Sequence, residues 1–149
     1  MNTLTLTKRI NADPARVFVV STNVPEFSKV VPSIKRIEVL TPGPVGKGTR
    51  FKETRVMFGK EATETLEFTD FSPPSGYTIG CTSCGVRYAT RFDIRAAPQG
   101  TDLTMTMDCQ PVSLFAKIMG PITGALMKSA MTKALDGDLE CIKKAAEGG

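Results

Sequence analysis

Residues 121–147 read PITGALMKSAMTKALDGDLECIKKAAE, and they predict one long amphipathic helix near the end of the chain. Apolar residues recur mostly every three to five positions, a spacing that aligns them in one stripe along a helix. The helical region is predicted from about Pro111 to Glu147, and its stripe contains Leu114, Ile118, Ile122, Leu126, Ala130, Leu135, Leu139 and Ile142. Pro121 lacks a backbone N–H, so a kink or a restart is expected there. The stripe needs a second surface against which it can be buried.

The preceding residues predict that surface. Runs rich in β-branched and alternating apolar residues predict seven strands, at Thr3–Thr7, Ile34–Leu40, Thr49–Phe58, Lys60–Phe71, Gly76–Thr82, Gly85–Ala96 and Thr101–Gln110. Two short helices are predicted between the first two strands, one beginning at Asp13-Pro14 and one around Pro25–Lys29. Short turns join strands in antiparallel order. The sequence therefore predicts an α+β fold in which a seven-stranded antiparallel sheet packs against the long C-terminal helix.

The 149 residues contain no His, and this limits the chemistry that the chain can perform. Ser-His-Asp and Cys-His nucleophile pairs and His-ligated zinc are excluded, which leaves carboxylates, Tyr, Lys, Arg and Cys. The chain is 41% hydrophobic and 23% charged, as in ordinary globular domains, so residues 1–149 are expected to form a single domain. Neither a cofactor nor a metal is predicted.

Charge and cysteine usage bear on partners and location. The net charge of +4 comes from dispersed Lys and Arg, which does not predict nucleic-acid binding. No run reaches 18 apolar residues and the start lacks a signal-peptide pattern, so no membrane span and a cytoplasmic location are predicted. The only CxxC, Cys81-Thr82-Ser83-Cys84, falls on a predicted hairpin, and structural thiols are favoured over a redox pair or metal ligands. The oligomeric state is left open.

The order of elements and three local motifs resemble the START-like (SRPBCC) superfamily, in particular its polyketide cyclase/dehydrase-type members. The motifs are DPARVF at 13–18, GPVGKGT at 43–49, and the C-terminal helix with Leu139, Ile142 and Lys143. The resemblance implies a helix-grip fold, with a curved sheet around an apolar cavity. It also implies binding or transport of a small hydrophobic ligand such as a lipid or polyketide. A cyclase or dehydrase enzyme and a protein-interaction module of the same fold remain the alternatives.

Strand parity predicts which side chains face the cavity. A two-residue turn at Thr82-Ser83 would pair Cys81 with Cys84 and Tyr77 with Tyr88, and it would place Arg91 on the opposite, solvent-facing side. The uncharged residues expected to line the ligand site are Phe51, Leu66, Tyr77, Tyr88, Phe92, Met105 and Met107 on the strands, with Ile122 and Leu126 on the helix.

The same parity turns three charged residues inward. Glu53 and Arg55 share the face of Phe51, and Glu64 should lie opposite one of them, depending on register. Buried unpaired charges are very costly, so these groups should pair with one another or with a ligand.

Two interpretations of these charges are open. In the first, water reaches this end of the sheet or a local bulge turns the charges outward. In the second, the charges form a polar anchor inside an apolar pocket. As an anchor, Arg55 would hold a ligand carboxylate, enol or carbonyl oxygen, and Glu53 or Glu64 would accept a ligand hydroxyl. The catalytic candidates, should a reaction occur, are Glu64, Arg55 and Tyr88: a desolvated Glu would move a proton while Arg55 stabilises an enolate.

Overall fold

The computed structural model describes residues 2–57, 59–83 and 85–148, and the side chains of these except 2, 57, 83, 111 and 114–128. Seven strands and one long helix dominate it. The elements are β1 (Asn2–Ile10), α1 (Pro14–Thr22), a 3-10 turn (Val24–Glu26), α2 (Phe27–Val30), β2 (Ile34–Val39), β3 (Arg50–Met57), β4 (Lys60–Ser72), β5 (Gly76–Ser83), β6 (Val86–Ala97), β7 (Gly100–Pro111) and α3 (Leu114–Gly148). The predicted fold class is confirmed.

The strands form one antiparallel sheet in the order β1-β7-β6-β5-β4-β3-β2. One predicted turn was wrong: the β5–β6 hairpin closes where Ser83 pairs with Val86, two residues later than expected. Gly85 has a φ of +76°, a conformation that two-residue hairpin turns require and that Gly adopts at no steric cost. The register consequently pairs Cys81 with Tyr88 and Tyr77 with Phe92. Because the shift is even, every side chain keeps its predicted face.

Helix α1 covers one half of the sheet's inner face. Asp13 caps it as predicted, since its carboxylate accepts the Arg16 N–H at 2.8 Å. Val17 and Phe18 of α1 are buried, and the Tyr77 hydroxyl donates to the Ser21 carbonyl at 3.2 Å. This arrangement fixes α1 over the middle strands.

An aromatic cluster forms the centre of the core under α1. Phe68 is fully buried, and its ring centroid lies 5.9 Å from Phe51, 5.6 Å from Phe71 and 5.7 Å from Tyr77. Phe92 stacks on Tyr77 at 4.6 Å. We call this region the core half of the inner face; its buried members are Phe51, Phe68, Tyr77, Ile94, Leu103 and Met105, covered by Val17, Phe18, Leu135 and Leu139.

Helix α3 runs as one helix through Gly120-Pro121, without the restart that the proline predicted. Its C-terminal half buries Leu135 and Leu139, members of the predicted apolar stripe. On one flank, Lys8 of β1 forms ion pairs with Asp136 at 3.2 Å and Glu140 at 3.1 Å. Among the described residues, no helix is long and apolar enough to cross a membrane.

Candidate functional site

An ion-pair cluster centred on Arg55 lies between β3 and α3. The Arg55 Nε donates to Glu53 Oε2 at 3.1 Å and its Nη2 approaches Glu53 Oε1 at 3.5 Å, while its Nη1 donates to Asp138 Oδ2 at 2.9 Å. The three side chains are only 14–20% exposed. Arg55 therefore links β3 to α3 through Asp138, while Glu53 holds the guanidinium from its own strand.

The alternation of β3 explains why two charges face inward. Phe51 is fully buried, so the residues two and four positions later lie on the same face of the strand. The register with β4 places Glu53 opposite Glu64 and Arg55 opposite Ala62, which settles the alternative that the sequence left open. The charges are neither turned outward nor left in water. Their predicted mutual pairing is confirmed for Glu53 and Arg55.

Sequence analysis missed the third member of the cluster, Asp138. It follows Leu135 by three residues and precedes Ile142 by four, so on a helix it belongs to the apolar stripe that these residues mark. An acidic residue in such a stripe needs a cationic partner, and Arg55 was the inward-facing cation still without a certain one. This signal could have identified Asp138.

Burial governs the electrostatics of the cluster. It raises the pKa of Glu53 above its usual range, although Arg55 acts in the opposite direction. The pKa of Asp138 is raised for the same reason and is likewise opposed by Arg55. Burial would lower the pKa of Arg55, but Glu53 and Asp138 more than offset this, so the guanidinium stays charged. Both carboxyl groups therefore hold a proton more readily than carboxyl groups in water.

A cleft of about 380 Å³ opens beside the cluster, where α3 passes the end of β3. Its walls are mostly apolar, and Arg55 and Asp138 form its polar end. The lining residues are Ser33, Arg55, Val56, Ala130, Lys133, Ala134 and Asp138. We call this the Arg55 cleft. The predicted ligand contacts Ile122 and Leu126 lie outside the side chains that the structure describes.

The other predicted site residues fall into two groups on the inner face. Most of the apolar ones belong to the core: Phe51, Tyr77 and Met105 are buried in the core half, and Leu66, Phe92 and Met107 pack against it. Glu64 and Tyr88 are half-buried, and each lies near the start of its strand, away from the core half. Tyr88 lies on β6, three strands from β3, and is therefore not adjacent to Arg55. We call the region with Glu53, Arg55, Glu64, Cys81 and Tyr88 the polar half.

Cys81 reports on the electrostatics of this polar half. Burial, with the nearby carboxylates of Glu64 and Glu53, raises the pKa of its thiol to about 11. A thiolate is disfavoured there, whereas a redox-active cysteine needs a lowered pKa. Cys84, its partner in the CxxC motif, lies outside the described residues.

We expect Cys81 to react slowly with iodoacetamide in the folded protein. The thiolate is the reactive form, and a pKa near 11 instead of 9.0 makes it about a hundredfold scarcer at pH 8. Mass spectrometry of tryptic peptides after timed alkylation measures the rate at Cys81, and the urea-unfolded chain provides the reference. Equal rates at Cys81 in the folded and unfolded protein would contradict this prediction.

Comparison with known families agrees with this architecture. The family model "Polyketide cyclase / dehydrase and lipid transport" matches residues 1–147. The chain belongs to this family. None of the curated proteins matches this polyketide cyclase/dehydrase and lipid-transport family member significantly.

Solved structures share the fold of this family member at low sequence identity. A START superfamily protein from Mycobacterium smegmatis superposes with a TM-score of 0.80 at 15% identity, over 98% of this chain and 97% of that one. Ara h 8.0201 gives 0.78 at 18% identity, over 99% of each chain. The di-domain ARO/CYC BexL from the BE-7585A biosynthetic pathway gives 0.81 at 16% identity, over 98% of this chain and 50% of that one. At such identities the likeness shows the START-like fold alone.

Proposed function

We propose that this protein binds a small, largely apolar molecule, such as a lipid or polyketide, between the inner face of the sheet and α3. One observation carries the proposal: a mostly buried ion-pair cluster forms one end of a cleft whose walls are mostly apolar. Apolar walls with a few placed polar groups are the usual composition of ligand sites. The family description, which includes lipid transport, supports the same function.

The energetics of the cluster also favour a role in binding. Replacing a buried ion pair by apolar residues of similar volume is often neutral or stabilising, so such a pair is a weak device for stability alone. At the end of an apolar cleft, the same groups can orient the polar end of a ligand. The polar end is thus the part of the site that would give specificity.

Enzymatic cyclisation or dehydration is the second candidate, and the position of Glu53 favours it. Its carboxyl group has a raised pKa and contacts Arg55 at 3.1 Å. A carboxyl group with a raised pKa holds a transferable proton to higher pH than a carboxyl group in water, and a guanidinium can stabilise a developing enolate. This geometry makes Glu53, rather than Glu64 or Tyr88, the first candidate for the proton carrier.

Copurification tests the binding proposal directly. Native mass spectrometry of the purified protein should show a bound species, which solvent extraction then releases for identification. A lipid and polyketide panel should raise the melting temperature, because a ligand at a hundred times its Kd stabilises a protein by about 2.7 kcal/mol. If neither a bound species nor any stabilisation is found, the binding proposal is wrong and an interaction module becomes the better explanation.

Two matched variants separate the enzyme from the carrier. With a bound polyketide as substrate, Glu53→Gln should retain binding and lose turnover if Glu53 transfers a proton. Glu64→Gln, on the neighbouring strand, serves as the comparison and should keep turnover. Equal turnover in both variants and the wild type would remove Glu53 from any catalytic role.

A further inference from the structure

The hydrogen-bonding groups at the end of the Arg55 cleft are unequally occupied. Each of the three guanidinium nitrogens of Arg55 already approaches a carboxylate oxygen of Glu53 or Asp138. A carboxylate offers about four acceptor sites, whereas a guanidinium has about five donors in all. The three contacts therefore use most of the donors of Arg55 but only a minority of the acceptor sites around it. What remains for a ligand is mainly acceptor capacity.

This end of the cleft also carries more negative than positive charge among the largely buried residues that the structure describes. Within that part of the chain, one guanidinium faces the two carboxylates of Glu53 and Asp138. Lys133 is a second cation among the described lining residues, but it is exposed, so water and salt screen its charge. The raised pKa of the Cys81 thiol, to which burial contributes most and Glu64 and Glu53 contribute next, agrees with a negative local field.

We propose that the Arg55 cleft selects a neutral apolar molecule bearing a hydroxyl donor, such as a phenol or enol, and discriminates against a carboxylate. The hydroxyl would donate to an acceptor site of Asp138, the carboxylate that lines the cleft and makes a single contact with Arg55. A carboxylate would have to displace Glu53 or Asp138 from Arg55 and enter a region of like charge. This inference rests on the proposed binding function and narrows its ligand class. The sequence-based hypothesis had Arg55 holding a ligand carboxylate, enol or carbonyl oxygen and Glu53 or Glu64 accepting a ligand hydroxyl. The present inference keeps a carboxylate as the acceptor of a hydroxyl and replaces the part in which Arg55 holds a ligand carboxylate.

Three probes with one ring system test the selection. Naphthalene, 2-naphthol and 2-naphthoate are titrated into the wild-type protein at pH 7.5 and 0.15 M salt, with binding followed by calorimetry. We expect 2-naphthol to bind about tenfold or more tightly than 2-naphthoate, since a hydrogen bond to a charged acceptor is gained in one case and like charge is met in the other. Naphthalene should lie between them.

Two matched variants locate the effect. Asp138→Asn removes one negative charge with little change in shape, so 2-naphthoate should gain about tenfold in affinity relative to 2-naphthol. Lys52→Gln changes an exposed residue on the opposite face of β3, outside the cleft lining, and should keep the wild-type order of the three probes. Urea unfolding of each variant verifies that it is folded, and the wild-type comparison stands independently of both.

The outcomes separate this inference from the function beneath it. If 2-naphthoate binds the wild type as tightly as 2-naphthol, the selection for a donor is overturned while ligand binding stands. If none of the three probes binds although the protein carries a copurified species or is stabilised by the lipid and polyketide panel, the inference alone is overturned. If those tests fail as well, the binding function is overturned with it. An unchanged preference in folded Asp138→Asn would likewise overturn the assignment to this cluster.

Discussion

Replacing Arg55 by Ala should lower the free energy of unfolding by about 3–5 kcal/mol, because the change removes the shared partner of two largely buried carboxylates. Glu53 and Asp138 would remain between β3 and α3 with the guanidinium gone. Urea unfolding at pH 7, followed by circular dichroism, measures the loss. A loss below about 1 kcal/mol would mean that water reaches both carboxylates and that the cluster is effectively a surface pair.

The stability that Arg55→Ala loses should also depend on pH, and it should be larger at pH 7 than near pH 4. The pKa values of Glu53 and Asp138 are already raised by burial, and Arg55 is the group that opposes this. Without Arg55 both pKa values rise further, so the folded variant binds protons more tightly than the unfolded chain. Its free energy of unfolding therefore falls as pH rises above the unfolded carboxyl values of about 4, and the difference from wild type narrows as pH is lowered from 7 toward 4.

A variant with all three charges removed is the control for this prediction. Arg55→Met combined with Glu53→Gln and Asp138→Asn leaves no buried ion, and it should recover most of the stability that Arg55→Ala loses. Its stability should also lose the pH dependence described above. If the triple variant is as unstable as Arg55→Ala, the loss comes from packing of the Arg55 stem rather than from unpaired charge.

Local patterns in the sequence predicted most of the fold. The parity set by Phe51 turned Glu53 and Arg55 inward, and the structure confirms this because a strand alternates faces regardless of what it packs against. The turn of the β5–β6 hairpin was misplaced by two residues, since CTSCG offers more than one two-residue turn and the choice depends on which residue adopts a positive φ. Because the turn is displaced by two residues and side chains alternate faces with a period of two, each side chain keeps its predicted face.

The site could be predicted only in part, because it is assembled from distant segments. Arg55 and Asp138 are separated by 83 residues, and only the docking of α3 against β3 brings them together. Likewise, strand parity could not tell which of the inward apolar residues pack in the core and which line a ligand site. Phe51, Tyr77 and Met105 face inward as predicted, yet the packing of α1 and α3 buries them in the core half.

The division of the inner face into a core half and a polar half leads to a second large effect. Phe68→Ala should lower the free energy of unfolding by about 3–5 kcal/mol, since the ring is fully buried among Phe51, Phe71 and Tyr77 and its removal leaves a cavity. Phe68→Leu, which retains most of the volume, should lose roughly 1–2 kcal/mol.

If the core half and the polar half have separate roles, Phe68→Ala and Arg55→Ala should differ in their effect on ligand binding although both lower stability. Phe68 belongs to the core half and is absent from the lining of the Arg55 cleft, so the folded fraction of Phe68→Ala should bind 2-naphthol with wild-type affinity. Arg55→Ala should change both stability and the preference among probes. Calorimetric titration below the unfolding transition measures the affinity of the folded protein. If folded Phe68→Ala loses affinity as Arg55→Ala does, the ligand occupies the core half, and the inner face acts as one continuous site.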